Sequence, residues 1–333
     1  MQRHDRRRTG SDLPGLALAE RQAWQHYLEA VLRFDVVMNR LLSTAHQLSV
    51  IDVRVLEILA SSNDGSARMG DLASSLAVTR RQMTKRIDRL QARVLVRREP
   101  DLHDRRGVAA LVTETGRFMI EQAKITYAQG VARYLLDPLT ARQVTTVAEN
   151  CWRINEGLSN PDRQGVGDES IFPEAPACSL PGIDDAGKRC WHQFLESSEA
   201  LFPAMSDRLM DAQQLTLICV LLLDQIAKSP GGSGSMSMLG ELFALMPSRV
   251  TQEISRLEYL GLVNRVAGQG DRRTVFATIT ALGRARVGQA RVAYAGEIRR
   301  KYLDSMSHRQ AIALGDACRR ISIALKCGAE RPA

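Results

Sequence analysis

The chain repeats itself. Displaced by 167 positions along its own length (191 − 24), the 333-residue sequence sets Trp191 on Trp24, Leu215 on Leu48, Ile254 on Ile87, Arg256-Leu257 on Arg89-Leu90 and Asp271-Arg272-Arg273 on Asp104-Arg105-Arg106, without a gap. The same offset pairs Thr280 with Thr113, Gly283 with Gly116 and Ile321 with Ile154, so the repeat runs from Trp24 to Leu158 and from Trp191 to Leu325. Two copies are too few for a solenoid, in which each unit stacks on neighbours of its own kind. The chain therefore reads as one domain fused to a diverged copy of itself, and its length agrees with two units of roughly 100 to 200 residues.

Composition narrows the partners rather than the fold. Hydrophobic residues make up 44% and charged residues 25%, ordinary for a globular protein, while a net charge of +8 and a pI near 9.4 point toward an anionic partner. No apolar run approaches the 18 or so residues of a membrane span; Leu215 to Ala227 is shorter and carries Asp224. The N-terminus holds Arg3, Arg6, Arg7 and Arg8, but the apolar segment behind them is short and broken by proline, unlike a signal peptide, so a cytoplasmic location is expected. The six cysteines form no CxxC pair and no Cys/His cluster at ligand spacing, which leaves no metal site and no cofactor to expect. Cys151 and Cys318 are equivalent under the offset (318 − 151 = 167), and Cys190 stands where the first copy has Ala23; buried apolar packing is the simpler reading of all three. The histidines (His4, His26, His46, His103, His192, His308) form no triad or ligand spacing and no paired carboxylates emerge, so an enzyme is not expected.

Along the chain, residues 1–15 read as a basic tail with little to bury. A long helix is predicted from Leu16 to about Gln47, and a second from Ser49, its N-cap, with Ile51, Val55, Ile58 and Leu59 inward. A short helix, a tight turn and another helix follow. Thr79 and Gln82 have the spacing of a capping box, so the latter helix starts near Thr79. Met83, Ile87 and Leu90 form its buried stripe and turn Arg80, Arg81, Thr84, Lys85 and Asp88 outward. Such a short, basic face suits the major groove of DNA, where arginine and lysine meet guanine edges and threonine a thymine methyl; an ordinary solvated face is the alternative. Two strands, Val94 to Glu99 and Val108 to Val112, then bracket a tip carrying Asp104, Arg105 and Arg106. Two arginines on a projecting tip can enter a minor groove while Asp104 orients one of them.

The stretch from Asp71-Leu-Ala-Ser-Ser-Leu-Ala-Val-Thr79 through Ile87-Asp-Arg-Leu90 and Leu95-Val-Arg-Arg98 to Asp104-Arg-Arg106 and Leu111-Val-Thr-Glu-Thr-Gly116 resembles the winged helix-turn-helix of MarR-family transcription regulators. The second copy resembles it too, through Leu239-Gly-Glu-Leu242, Ile254-Ser-Arg-Leu257, Asp271-Arg-Arg273 and Ile279-Thr-Ala-Leu-Gly283. The resemblance implies a mainly α fold with small β wings: two winged helix-turn-helix domains, 16–158 and 189–326, joined by a linker over 159–188. In proteins of this family the first helix and the two after the wing form the dimer interface. Here these would be the helices at about 114–136 and 140–158 and at 281–303 and 307–325, making one chain an intramolecular pseudo-dimer with a helical interface. It further implies a DNA-binding regulator, a repressor in the simplest case, released by a small aromatic or phenolic effector. Trp24, Tyr27, Phe34, Trp191 and Phe194 are candidates for lining an effector pocket, with interface packing the commoner use of such residues.

The copies differ where reading is expected. From Thr79 to Leu90 five cations oppose one acid, +4; from Met246 to Leu257 two oppose one, +1. The second helix offers Pro247, Ser248, Arg249, Thr251 and Gln252, followed by a wing with Asp271 orienting Arg272 and Arg273. Unlike half-sites, and hence an imperfect palindrome of double-stranded DNA, are expected. The alternative is a protein-interaction or architectural module in which only the first winged helix reads bases. Gly182 to Lys188 has the spacing of a phosphate-binding loop, but Arg189 stands where Ser or Thr is needed and no strand precedes it, so no nucleotide site is expected.

Overall fold

A computed structural model describes residues 13–76, 78–100, 108–159, 180–268 and 274–329. They form two compact units. One is built on residues 35–135, with 180–184; the other gathers 13–34, 136–159 and 185–329. The larger unit thus takes in parts of both of the stretches expected as domains, 16–158 and 189–326. The second unit draws helices from both copies.

Helix α1 spans Leu18–His46 and contributes its later part to the smaller unit. There it is followed by α2 (Val50–Ser61), β1 (Ser66–Arg68), α3 (Met69–Ser75), α4 (Arg80–Ala92), β2 (Val96–Pro100), β3 (Val108–Val112) and α5 (Glu114–Val131). Helix α2 is capped as its sequence suggests: Ser49 Oγ accepts from the Asp52 amide, and the Asp52 carboxylate accepts from the Ser49 amide. The three strands pair antiparallel in the order β1-β3-β2, with Val96 opposite Val112 and Arg98 opposite Ala110. Alternation along β3 turns Ala110 and Val112 onto a core of Leu56, Leu59, Leu72, Met83, Ile87 and Leu95, all at most 5% exposed.

The larger unit carries α7 (Asp185–Gln213), α8 (Leu217–Lys228), β4 (Ser233–Ser235), α9 (Met236–Phe243), α10 (Pro247–Tyr259), β5 (Val263–Ala267), β6 (Val275–Ile279) and α11 (Ala281–Ile298), with sheet order β4-β6-β5. Helix α6 (Ala141–Ser159) and the closing helix α12 (His308–Ala329) belong to it as well. Elements of the second copy begin 167 residues after their counterparts: α7 after α1 (185 − 18), α8 after α2 (217 − 50), α10 after α4 (247 − 80) and α11 after α5 (281 − 114). Helices α5 and α11 each run on into a five-residue π-helical turn, Ala132–Leu136 and Arg299–Leu303.

The core of this unit is aromatic and is shared between copies. Trp24 Nε1 donates to the Tyr294 hydroxyl at 2.6 Å, and the Trp24 ring lies 5.1 Å from that of Tyr302. Tyr27 bonds Ser197 at 2.8 Å, and Phe34 packs on Trp191 at 5.2 Å between centroids. Trp24, Tyr27, Phe34, Trp191 and Phe194 are all buried, so they serve packing rather than an open pocket. Helix α12 comes close enough to α1 that a Cβ on Gly315 would stand 2.4 Å from Ala23 Cα. Cys151, Cys190 and Cys318 are buried here. Burial pushes the Cys151 thiol up to about 12 and raises the other two as well, so all three remain protonated thiols.

Two sequence expectations need correction. The tail was expected to extend to residue 15 and the linker to 188, yet Leu13 and Leu16 are buried, as are Leu180 and Ile183. Leu13-Pro-Gly-Leu16 and Leu180-Pro-Gly-Ile183 are themselves repeats at the same offset (180 − 13 = 167). Each makes a turn closed by a bond from its fourth residue's amide to its first residue's carbonyl, with Gly15 at φ +81° and Gly182 at φ +78°. Proline then glycine is the pairing that such a type II turn requires. The apparent phosphate loop is thus the start of the second repeat, and α7 begins at Asp185 within it.

The Thr-x-x-Gly pattern after each wing has a local cause. Thr113 Oγ1 accepts from the Gly116 amide and donates to the Val94 carbonyl, starting α5 against the strand. A Cβ on Gly116 would meet the Leu95 carbonyl oxygen at 2.1 Å, and one on Gly283 the Leu262 carbonyl oxygen at 2.1 Å. Gly116→Ala and Gly283→Ala are each expected to cost about 1–3 kcal/mol through overpacking against backbone. Gly288→Ala, on α11 with nothing within 4 Å, serves as control and is expected to be neutral or slightly stabilising. Thermal unfolding of the three variants checks this; unchanged melting in the first two contradicts it.

Candidate nucleic-acid interface

Helix α4 starts at the predicted cap. Thr79 Oγ1 accepts from the Gln82 amide and the Gln82 side chain accepts from the Thr79 amide, so Gln82 is spent on the helix end. Arg80, Arg81, Thr84 and Lys85 are exposed. Among the described residues no carboxylate lies within ion-pair range of Arg80, Arg81 or Lys85. The Thr84 hydroxyl donates to the Arg80 carbonyl at 2.9 Å, which leaves its methyl and lone pairs outward.

The opposite side of the helix is pinned. Arg86 donates to Asp52 at 3.1 Å and to Ser49 Oγ at 3.0 Å, joining α4 to the N-terminus of α2, and Asp52 is 6% exposed. Arg98 on β2 pairs with Asp88 at 2.7 Å, which ties the wing strand to the same helix. Of the five cations counted in the sequence of α4, Arg86 and, at 3.8 Å, Arg89 lie on Asp52, which leaves Arg80, Arg81 and Lys85 with no carboxylate partner among the described residues.

Helix α10 has the same place in its own unit and a different chemistry. Ser248, Arg249, Thr251 and Gln252 are exposed. No side chain caps its start; Met246 occupies the cap and Pro247 the first turn, where its missing N–H is harmless. Arg249 pairs with Glu253 at 2.7 Å, and Glu253 is 4% exposed. The other Glu253 oxygen accepts from Thr216 Oγ1 at 2.9 Å and from Cys219 Sγ at 3.1 Å. Burial pushes the Cys219 thiol up to about 12, with Thr216 lowering it and Glu253 raising it, so the sulfur carries the proton that it shares. Arg265 on β5 donates to the Thr251 carbonyl at 2.9 Å and to Ser255.

These are the same three positions with their roles exchanged: Ser49, Asp52 and Arg86 in one copy, Thr216, Cys219 and Glu253 in the other. The helix supplies the cation in the first and the anion in the second. Sequence reading missed both anchors. Their signal was available, since Asp52 and Glu253 are charges on otherwise apolar buried stripes. The wing residues Asp104, Arg105, Arg106, Asp271, Arg272 and Arg273 lie outside the described residues. Among the described residues no group of three or more histidine, cysteine or acidic side chains is placed to hold a metal, and no single helix is long and apolar enough to cross a membrane.

Removing one partner of a buried pair leaves the other charge uncompensated. Asp52→Ala is therefore expected to destabilise the fold by about 3 kcal/mol in denaturant unfolding, and Cys219→Ala by less, since Glu253 keeps Thr216 and Arg249. Equal effects would contradict this account of the two anchors.

Residues 46–107 match the family model described as MarR family. Among solved structures, the chain is similar to AbsC, a MarR family transcriptional regulator from Streptomyces coelicolor, at 24% identity over 44% of this chain and 97% of that one, TM-score 0.40. It is similar to Sco3205 from the same organism, solved in complex with DNA, at 20% identity over 45% and 95%, TM-score 0.40. To MarR of E. coli in its apo form it is 26% identical over 35% and 84%, TM-score 0.32. No curated protein matches the chain.

Proposed function

We propose that this chain, whose residues 46–107 are of the MarR family of transcription regulators, binds double-stranded DNA sequence-specifically as a single-chain pseudo-dimer and represses transcription. The observation that carries the reading is the outward face of α4: Arg80, Arg81 and Lys85 without carboxylate partners among the described residues, Thr84 between them, on a helix anchored from behind by Arg86 and Asp52. Anchoring on one side and open cations on the other is what insertion into a groove requires. Support for the pseudo-dimer is the larger unit itself, in which the first part of α1 meets α7, α11 and α12 of the second copy and α6 packs on α7 and α12. Tethering makes that association intramolecular, so it does not depend on protein concentration.

On this reading Arg105, Arg106, Arg272 and Arg273 reach the minor groove from the wings, with Asp104 and Asp271 orienting them. Ser248, Arg249, Thr251 and Gln252 face the second half-site. Because α4 and α10 present different groups, the preferred DNA is an imperfect palindrome bound in one orientation. A small aromatic or phenolic acid is the proposed release signal, acting by preferring the conformation that does not fit DNA. A second reading, in which the second winged helix is only an interaction module, draws on the pairing of Arg249 with Glu253.

Titration of duplex DNA from the region upstream of the chain's own coding sequence tests the proposal, at two salt concentrations and with excess unrelated competitor. Binding should survive competitor, and Arg81→Ala and Arg106→Ala should each weaken it by about 1–3 kcal/mol, or roughly 5- to 150-fold. Arg273→Ala should weaken it less. Binding that competitor removes, with only the salt-sensitive phosphate contribution left, would overturn the reading.

A further inference from the structure

The two reading helices differ in kind as well as in charge. Each residue presented by α10 can be set against its counterpart on α4 by the 167 offset: Met246 for Thr79, Pro247 for Arg80, Ser248 for Arg81, Thr251 for Thr84 and Gln252 for Lys85. All three open cations of α4 are gone. The cation that α10 gains, Arg249, is paired with the buried Glu253. In their place stands an apolar group at the N-terminal end: Met246 is 64% exposed, and Leu242 on α9, where the first copy has Ser75, is 42% exposed.

Base edges in the major groove sort these groups. Guanine offers two acceptors and takes arginine or lysine; adenine offers a donor and an acceptor and takes the amide of glutamine; thymine offers a methyl and takes an apolar contact. An unbranched thioether adapts well to such a methyl. The N-terminal end of a recognition helix is the end directed at bases, and Met246 is the cap of α10.

We propose that the two winged helices read half-sites of opposite composition: α4 a guanine-bearing one through Arg80, Arg81 and Lys85, and α10 an A·T-rich one through thymine-methyl contact with Met246 and pairing of Gln252 with adenine. The inference rests on the DNA-binding reading above. Ser248 and Thr251 flank the apolar group with hydroxyls that suit bases or phosphates alike. A protein partner is the weaker fit, because two exposed apolar side chains beside a polar row fall far short of the roughly 1,000 Å² that a specific protein interface buries.

Enrichment of a randomised duplex library by the full chain, followed by uracil substitution in the selected site, separates the outcomes. Uracil differs from thymine only by the lost methyl. Substituting it for thymine in the A·T-rich half should weaken binding about fourfold per contacted methyl, and Met246→Ala, at an exposed position, should abolish that sensitivity while leaving the guanine-bearing half selected. Arg81→Ala should relax selection in the guanine-bearing half alone. Guanine-bearing sequence in both halves, or an A·T-rich half indifferent to uracil, overturns the inference while sparing the regulator. One enriched half beside a random one overturns it in favour of a second winged helix that docks protein. A library with no enrichment at all means that the DNA-binding reading itself has failed.

Discussion

The bond from Trp24 Nε1 to the Tyr294 hydroxyl joins residues 270 positions apart. It sits in a ring cluster with the buried Tyr27, Phe194 and Tyr302 and the half-buried Phe202. Neither copy of the repeat can complete this core alone, because Trp24 and Tyr27 come from the first and the other rings from the second. An indole N–H and a phenol without partners in an apolar interior would each carry a desolvation cost, and each supplies what the other lacks. The close approach of Gly315 to Ala23 joins α12 to α1, and the bond from Asn155 to Gln193 at 2.9 Å joins α6 to α7 in the same unit. The larger unit is thus completed by helices of both copies.

What the shared core does not constrain has diverged. The aromatic positions serve packing, so their chemistry is set by their neighbours within the unit. The outward faces of α4 and α10, by contrast, are exposed. Between these extremes are the anchors behind α4 and α10, where the polar link to the start of α2 or α8 is kept and its polarity reversed. Arg86 reaches Asp52 and Ser49; Glu253 is reached by Cys219, Thr216 and Arg249. The reversal changes what is left over for a ligand. In the first copy the anchoring cation lies inside and the outer cations remain open. In the second the buried carboxylate draws Arg249 onto itself.

Much of this was legible in the sequence. The 167 offset places matching elements, the Ser49 and Thr79 caps follow from side-chain spacing, and the buried stripe of α4 follows from helical period. A short-range cause can be read from a short window. The rest was not legible for identifiable reasons. Leu13 and Leu180 stand in proline- and glycine-containing stretches that look like tail and linker; only comparison of Leu-Pro-Gly-Leu with Leu-Pro-Gly-Ile reveals them as repeated structure. The division of α1 between two units depends on packing against helices more than a hundred residues away, which no local pattern encodes. Counting charge on α4 and α10 does not show which cations are engaged, because the pairing of Arg86 with Asp52 and of Arg249 with Glu253 is settled by residues on other turns and helices.

The central claim is that one chain supplies both halves of a DNA-binding unit that separate protein chains would otherwise assemble. Its most direct test is the mass of the complex on a duplex selected by the protein, measured across a wide range of protein concentration. The account predicts one chain per site, with no dependence of the free protein's unfolding midpoint on concentration. Two chains per site, appearing cooperatively as concentration rises, would contradict it.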